Sequence, residues 1–123
     1  MARGARRLKD RIAFDQPAEF PDGSFGNETG WAERFVRFGE FIYQRGSEAV
    51  EAARLEGQSV YKLKVRSDPE TRSLTAGWRA RDVLRQSFDT QGKPKTGVYN
   101  IREVDPITDR QWVYLVVESG VAT

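Results

Sequence analysis

Apolar and polar residues alternate with a period of two in several short segments of this chain, the pattern of strands with one buried face. The cleanest case is SVYKLKVRSDP, Ser59 to Pro69. Tyr61, Leu63 and Val65 point one way there, while Lys62, Lys64 and Arg66 point the other. RIAFDQ, Arg11 to Gln16, alternates around Ile12 and Phe14, and Pro17 is expected to end it. WAERFVRFGEFIYQ, Trp31 to Gln44, carries aromatic and β-branched residues on both parities, which favours a strand over a helix. Gly39 in its middle suggests a bulge or bend. A further strand is expected from Arg79 to Leu84, and a closing hairpin within GVYNIREVDPITDRQWVYLVVESG, Gly97 to Gly120.

One stretch changes character. SEAVEAARLEGQ, Ser47 to Gln58, is rich in the helix formers Ala, Glu and Leu. Ser47 suits the N-cap, Glu48 and Glu51 the first turn, and Gly57 the stop. Two segments read as long loops: PAEFPDGSFGNETG, Pro17 to Gly30, and SFDTQGKPKTG, Ser87 to Gly97. The expected fold is mainly β: a small six-stranded antiparallel β-barrel or sandwich with one short α-helix and long loops. It forms a single domain over residues 1–123, with 1–10 a flexible basic N-terminal arm and 11–120 the barrel.

The closing hairpin poses a packing question. In its first strand Tyr99 and Ile101 share a face, with Val98 and Val104 on the other; in its second, Val113, Leu115 and Val117 line one face. Trp112, Tyr114 and Val116 line the opposite one, where a solvated sheet face would be polar. The barrel interior covers one side, and the helix or a neighbouring subunit must cover the other. A helix of about three turns is short for that task. Trp112 and Tyr114 are therefore expected at a subunit contact, with Phe20, Phe25 and Phe88 in the two loops as further candidates.

Composition narrows the chemistry. A chain of 123 residues buries one core. With no Cys and no His, it lacks disulfides, a thiolate nucleophile, the usual general base and the commonest transition-metal ligand. Glu103 with Asp105, or Asp82 near Arg81, are drawable as acid/base pairs, but their spacing does not set them apart from surface charges. GSFGNETG does not join a strand to a helix as a phosphate-cradling loop would. No enzyme activity, cofactor or metal is expected. The longest apolar run, WVYLVV, is far short of the ~20 residues that span a bilayer, and no apolar signal segment follows the basic start. A cytoplasmic setting with no membrane partner is expected.

Charge is unevenly placed. Residues 1–11 hold Arg3, Arg6, Arg7, Lys9 and Arg11 against Asp10, while the remainder holds 15 cations against 17 anions. Such an arm suits contact with nucleic acid or an acidic protein surface; a frayed soluble terminus is the plainer reading. The Lys62, Lys64 and Arg66 stripe, spaced ~6.7 Å apart, is either a solvated outer face or a contact for phosphates or acidic side chains.

The order of these segments resembles the head–tail joining proteins (head-closure, adaptor or stopper proteins) of long-tailed double-stranded DNA phages and phage-like gene transfer agents. The resemblance runs from LKDRIAFDQP through Asp22–Gly23, Trp31, GSEAVEA and YKLKVR to the closing hairpin. Its most telling parts are Tyr99, Asn100, Ile101 and Val104, the turn with Arg110, and Glu118 and Gly120. The SFDTQGKPKTG loop departs from it, since a shorter turn is expected there. The resemblance implies a small β-barrel whose copies form a ring of six or twelve at the head–tail joint of a virion or gene transfer particle, assembled in the bacterial cytoplasm. Its partners would be a portal or adaptor ring above, a tail terminator or tail tube below, and packaged DNA in the channel. Arg3, Arg6, Arg7, Lys9, Arg11, Lys62, Lys64 and Arg66 become candidates for portal or DNA contact, and segments 20–30 and 87–97 for the lumen or a neighbouring copy. A tail-completion ring protein and a nucleic-acid-binding small barrel, similar in outline to an OB-fold, are the alternatives.

Overall fold

A computed structural model describes residues 8–43 and 59–119. β1 (Asp10–Pro21) and β2 (Asn27–Tyr43) form one long hairpin, followed by β3 (Val60–Arg66) and β4 (Arg79–Asp82). Two short strands, β5 (Ser87–Phe88) and β6 (Pro94–Thr96), precede β7 (Val98–Asp105) and β8 (Trp112–Glu118). Among the described residues, six strands close into a barrel in the order β1-β2-β3-β8-β7-β4. Every ladder is antiparallel, and β4 returns to pair with β1. The mainly β, six-stranded antiparallel architecture is the one its alternation predicts. The expected helix, Ser47 to Gln58, lies outside the described residues, as do Arg3, Arg6, Arg7 and Gly120.

The inward parities of the strands supply the core: Ile12 and Phe14, Phe35, Leu63 and Val65, Ala80, Ile101, and Val113, Leu115 and Val117. Leu74 and Trp78, on the connection before β4, join them. Phe14, Phe35 and Trp78 stack in sequence, with ring centroids 5.3 and 6.1 Å apart. Phe41, Tyr61 and Tyr99 form a second cluster at 5.2–5.9 Å. Burial pushes the Tyr99 hydroxyl above its ordinary pKa, with Tyr61 adding to the effect.

Several sequence expectations change. Pro17 does not end β1; the strand runs on to Pro21 against Asn27, so most of the expected loop 17–30 is ladder and the turn shrinks to residues 22–26. Pro17 is tolerated because β1 borders β4 only from Ile12 to Asp15, leaving it as edge strand beyond. Gly39 is not a bulge. It pairs regularly with both Asp10 and Val65, and a Cβ there would lie 3.1 Å from the Lys64 carbonyl oxygen. The β2 bulge sits instead opposite the Phe14–Asp15 step, at Arg34. A second bulge, at Arg102 in β7, flips the parity, so Val104 packs on the core beside Ile101 rather than opposite it. Finally, segment 87–97 is a small hairpin rather than a loop, and β4 ends at Asp82, two residues earlier than expected.

Candidate functional site

Beyond Asp15 the β1–β2 hairpin leaves the barrel. From Gln16 to Pro21, β1 pairs with β2 alone among the described residues, and Asn27 to Ala32 pair only with β1. The result is a two-stranded ribbon, exposed along most of its length. Its sequence from Gln16 to Glu33 carries Glu19, Asp22, Glu28 and Glu33 and no cation. The tip is built on Asp22, whose carboxylate accepts hydrogen bonds from the N–H groups of Ser24 (2.8 Å) and Gly26 (3.2 Å). Phe25 sits there fully exposed, with its backbone in the left-handed region at φ 66°. The left-handed backbone is uncommon for a phenylalanine. Phe20 lies against Gly30, where a Cβ would approach its ring to 3.0 Å.

The ribbon's root is fixed by charge. Asp15 is 1% exposed and accepts hydrogen bonds from Arg79 Nε (2.9 Å) and from Arg81 Nε and Nη2 (2.7 and 3.0 Å). Arg81 also reaches Glu33 (2.6 Å) and Gln86 (2.8 Å), and the Arg79 guanidinium lies 4.7 Å over Trp31. Two cations against two carboxylates leave the cluster neutral, which is the condition for burying it. Hydrogen bonding to Asp15 holds the Arg81 guanidinium above its already high pKa. Alternation along β4 points Arg79 and Arg81 to one side, and the strand pairing sets Arg81 opposite Ala13 and Arg79 opposite Asp15.

The outer face of β2, β3 and β8 carries the cationic stripe beside the second apolar face of the closing hairpin. Lys62, Lys64 and Arg66 stand beside Val116, Tyr114 and Trp112 in the β3–β8 ladder. Their cationic groups lie over the rings: Lys62 4.7 Å from the Tyr114 centroid, Lys64 4.2 Å and Arg66 4.8 Å from that of Trp112. Arg11 is likewise 5.6 Å from Phe38. The stems and charges of the stripe thus lie over part of the second apolar face, and Trp112 and Tyr114 are half-buried. Phe38 stays 56% exposed beside a groove of about 500 Å³ lined by Leu8, Arg37, Arg66 and Asp68. Arg37 is held by hydrogen bonds to Asp68 (3.0 Å) and to Glu70.

The other singled-out residues divide plainly. Lys9 is exposed, and Phe88 is partly exposed on the small hairpin. Tyr99 and Ile101 serve the core, Asn100 pairs between Arg79 and Glu118, and Arg110 is exposed in the β7–β8 turn. Glu118 is buried against Arg102, the extra residue of the β7 bulge. Of the carboxylates drawn as acid/base pairs, Asp82 and Asp105 do structural work, while Glu103 is exposed. Asp82 is buried and bonds Arg85 (2.7 Å) and the N–H of Leu84 (3.1 Å), while its neighbour Arg81 turns to Asp15 instead. Asp105 accepts from the N–H groups of Thr108 and Ile107, which hold its carboxyl below the usual range. Among the described residues no helix is long and apolar enough to cross a membrane.

Comparison with known proteins gives three findings. A family model described as phage head completion protein matches residues 4–120. The solution structure of protein SF1141 from Shigella flexneri 2a is similar over 100% of both chains, with a TM-score of 0.63 at 16% identity. A chain in the virion of a native gene transfer agent particle is similar over 92% of this chain and 94% of its own, with a TM-score of 0.54 at 16% identity. No curated protein matches the sequence.

Proposed function

The chain belongs to the phage head completion protein family, structural components of the virion, and from that premise we propose that it forms the ring joining a DNA-filled head to its tail. In this reading, copies numbering six or twelve assemble beneath the portal or an adaptor ring. They retain the packaged DNA and offer the tail its docking face. The observation that carries the reading beyond family membership is the rooted ribbon. Two-stranded hairpins are marginal in water, yet this one is clamped by buried charge and ends in an exposed, strained Phe25. Such a feature suits a chain that acts by gripping a neighbour.

The test is electron microscopy of particles from a producing strain with this gene interrupted. Tailless heads beside free finished tails are the expected outcome; normal tailed particles would remove the reading. A nucleic-acid-binding barrel draws support from the interleaving of Lys62, Lys64 and Arg66 with Trp112 and Tyr114. Those rings already carry cations on their faces, whereas single-strand binders keep such faces open for bases. Steeply salt-dependent binding to single strands would revive it.

A further inference from the structure

We propose that the acidic ribbon of one copy docks on the outer barrel face of the next, seating Phe25 in the groove beside Phe38. This contact rests on the ring reading above and names the surfaces that would make it.

The two surfaces are complementary in charge and in chemistry. The ribbon is uniformly acidic, with Glu19, Asp22 and Glu28 around an exposed ring. The face presents Arg11, Lys64 and Arg66 around exposed Phe38, with Leu8 at the groove's edge; of its carboxylates, Asp68 is taken by Arg37 and Glu40 stands opposite Lys64. The six residues from Gln16 to Pro21 reach about 20 Å from the root, while the three strands of the face span about 10 Å across. Phe25, fully exposed, does not reach the face of its own chain. Because ribbon and groove are different surfaces, the contact is head-to-tail, and such contacts close into rings when the rotation per copy allows. The clamp of Asp15, Arg79 and Arg81 gives each copy the same ribbon direction, which a closed ring requires. Seating on a partner also gives the left-handed backbone at Phe25 a purpose, since it aims the ring away from the ribbon's own strands.

The chain has no cysteine, so disulfide trapping in purified particles is a clean test. Ser24→Cys combined with Arg66→Cys should yield, on oxidation, a ladder of multimers ending at the ring. Ser24→Cys combined with Thr108→Cys, on the β7–β8 turn, should stay monomeric. No ladder from the first pair, equal ladders from both, or a band joining Arg66→Cys to a different virion protein would each overturn the contact. Absence of the wild-type chain from purified particles would overturn the ring reading itself, and this contact with it. A second measurement is independent of thiols. Lys64→Glu with Arg66→Glu should lower copies per particle at least about tenfold, since like charges then face each other, and adding Glu19→Lys with Glu28→Lys should restore them. Failure to restore, with the melting temperature of the barrel unchanged, would also overturn the proposal.

Discussion

The two halves of β1 share one ladder with β2 and differ in what lies on their other side. From Ile12 to Asp15 the strand is flanked by β2 and β4, and all four residues are buried. From Pro17 to Pro21 it has, among the described residues, β2 alone, and nearly every residue is exposed. The strand changes role at Asp15, where the second neighbour ends. A third strand, rather than the hairpin's own pairing, decides which half belongs to the core and which is offered to a partner.

The largest effect expected from breaking this contrast is at Asp15. Asp15→Ala leaves Arg79 and Arg81 partly buried without their shared carboxylate, and removing one partner of a buried ion pair costs about 3–5 kcal/mol. Chemical denaturation should show that loss, while Glu19→Ala, four residues along the same strand, should stay within about 0.5 kcal/mol of wild type. Equal effects at the two sites would erase the distinction between the halves. A smaller loss should follow Gly39→Ala. Its Cβ would press on the Lys64 carbonyl oxygen and the Val65 and Ile12 side chains at 3.1–3.2 Å, and overpacking of this kind costs about 1–3 kcal/mol. Gly30→Ala, on the ribbon side of β2, meets only the end of the Phe20 ring and should be milder.

This division also marks what is legible in the sequence. Barrel strands announce themselves through alternation, as in Tyr61, Leu63 and Val65, because a single buried face imposes a period of two. The ribbon does not. Both of its faces meet water, so no alternation is required, and Pro17, Pro21, Gly23 and Gly26 give it the composition of a loop. The clamp is hidden for another reason: Asp15 bonds Arg79 and Arg81 across 64 and 66 positions, and only the β1–β4 register brings them together. Lys62, Lys64 and Arg66 are visible as a stripe, and Trp112 and Tyr114 as an apolar surplus. Their mutual cover depends on β3 lying beside β8, which strand order in the sequence does not reveal. A one-residue bulge at Arg102 likewise moves Val104 to the core side, a shift that parity counting cannot detect.

A pH test concerns the barrel side of the groove. Burial pushes the Asp68 carboxyl up, but hydrogen bonds from Arg37 and the Thr71 N–H outweigh it and leave the pKa below the ordinary value. A carboxylate whose folded pKa is depressed contributes stability above its unfolded pKa, about 3.9, and loses it as pH falls through the folded value. Asp68→Asn should therefore melt below wild type at neutral pH, by no more than about 1 kcal/mol for a partly exposed pair. That gap should close as pH drops below ~4. A gap independent of pH would assign the loss to packing rather than to charge.

A change in stability of the opposite sign is expected at the ribbon tip. Phe25 holds φ 66°, a conformation that costs an L-residue roughly 1–2 kcal/mol and glycine almost nothing. Glycine also adds freedom to the unfolded chain, which offsets part of that gain. Phe25→Gly should therefore leave the isolated barrel unchanged or slightly more stable, by up to about 1 kcal/mol, as read by thermal melting. Particle assembly should fall in the same variant, because the ring that would enter a neighbour's groove is gone. A clear loss of stability in the isolated protein would mean that Phe25 packs on its own chain in solution, and the ribbon would then belong with the buried half of β1. Stability kept and assembly lost would instead separate the two halves by function as sharply as burial separates them by structure.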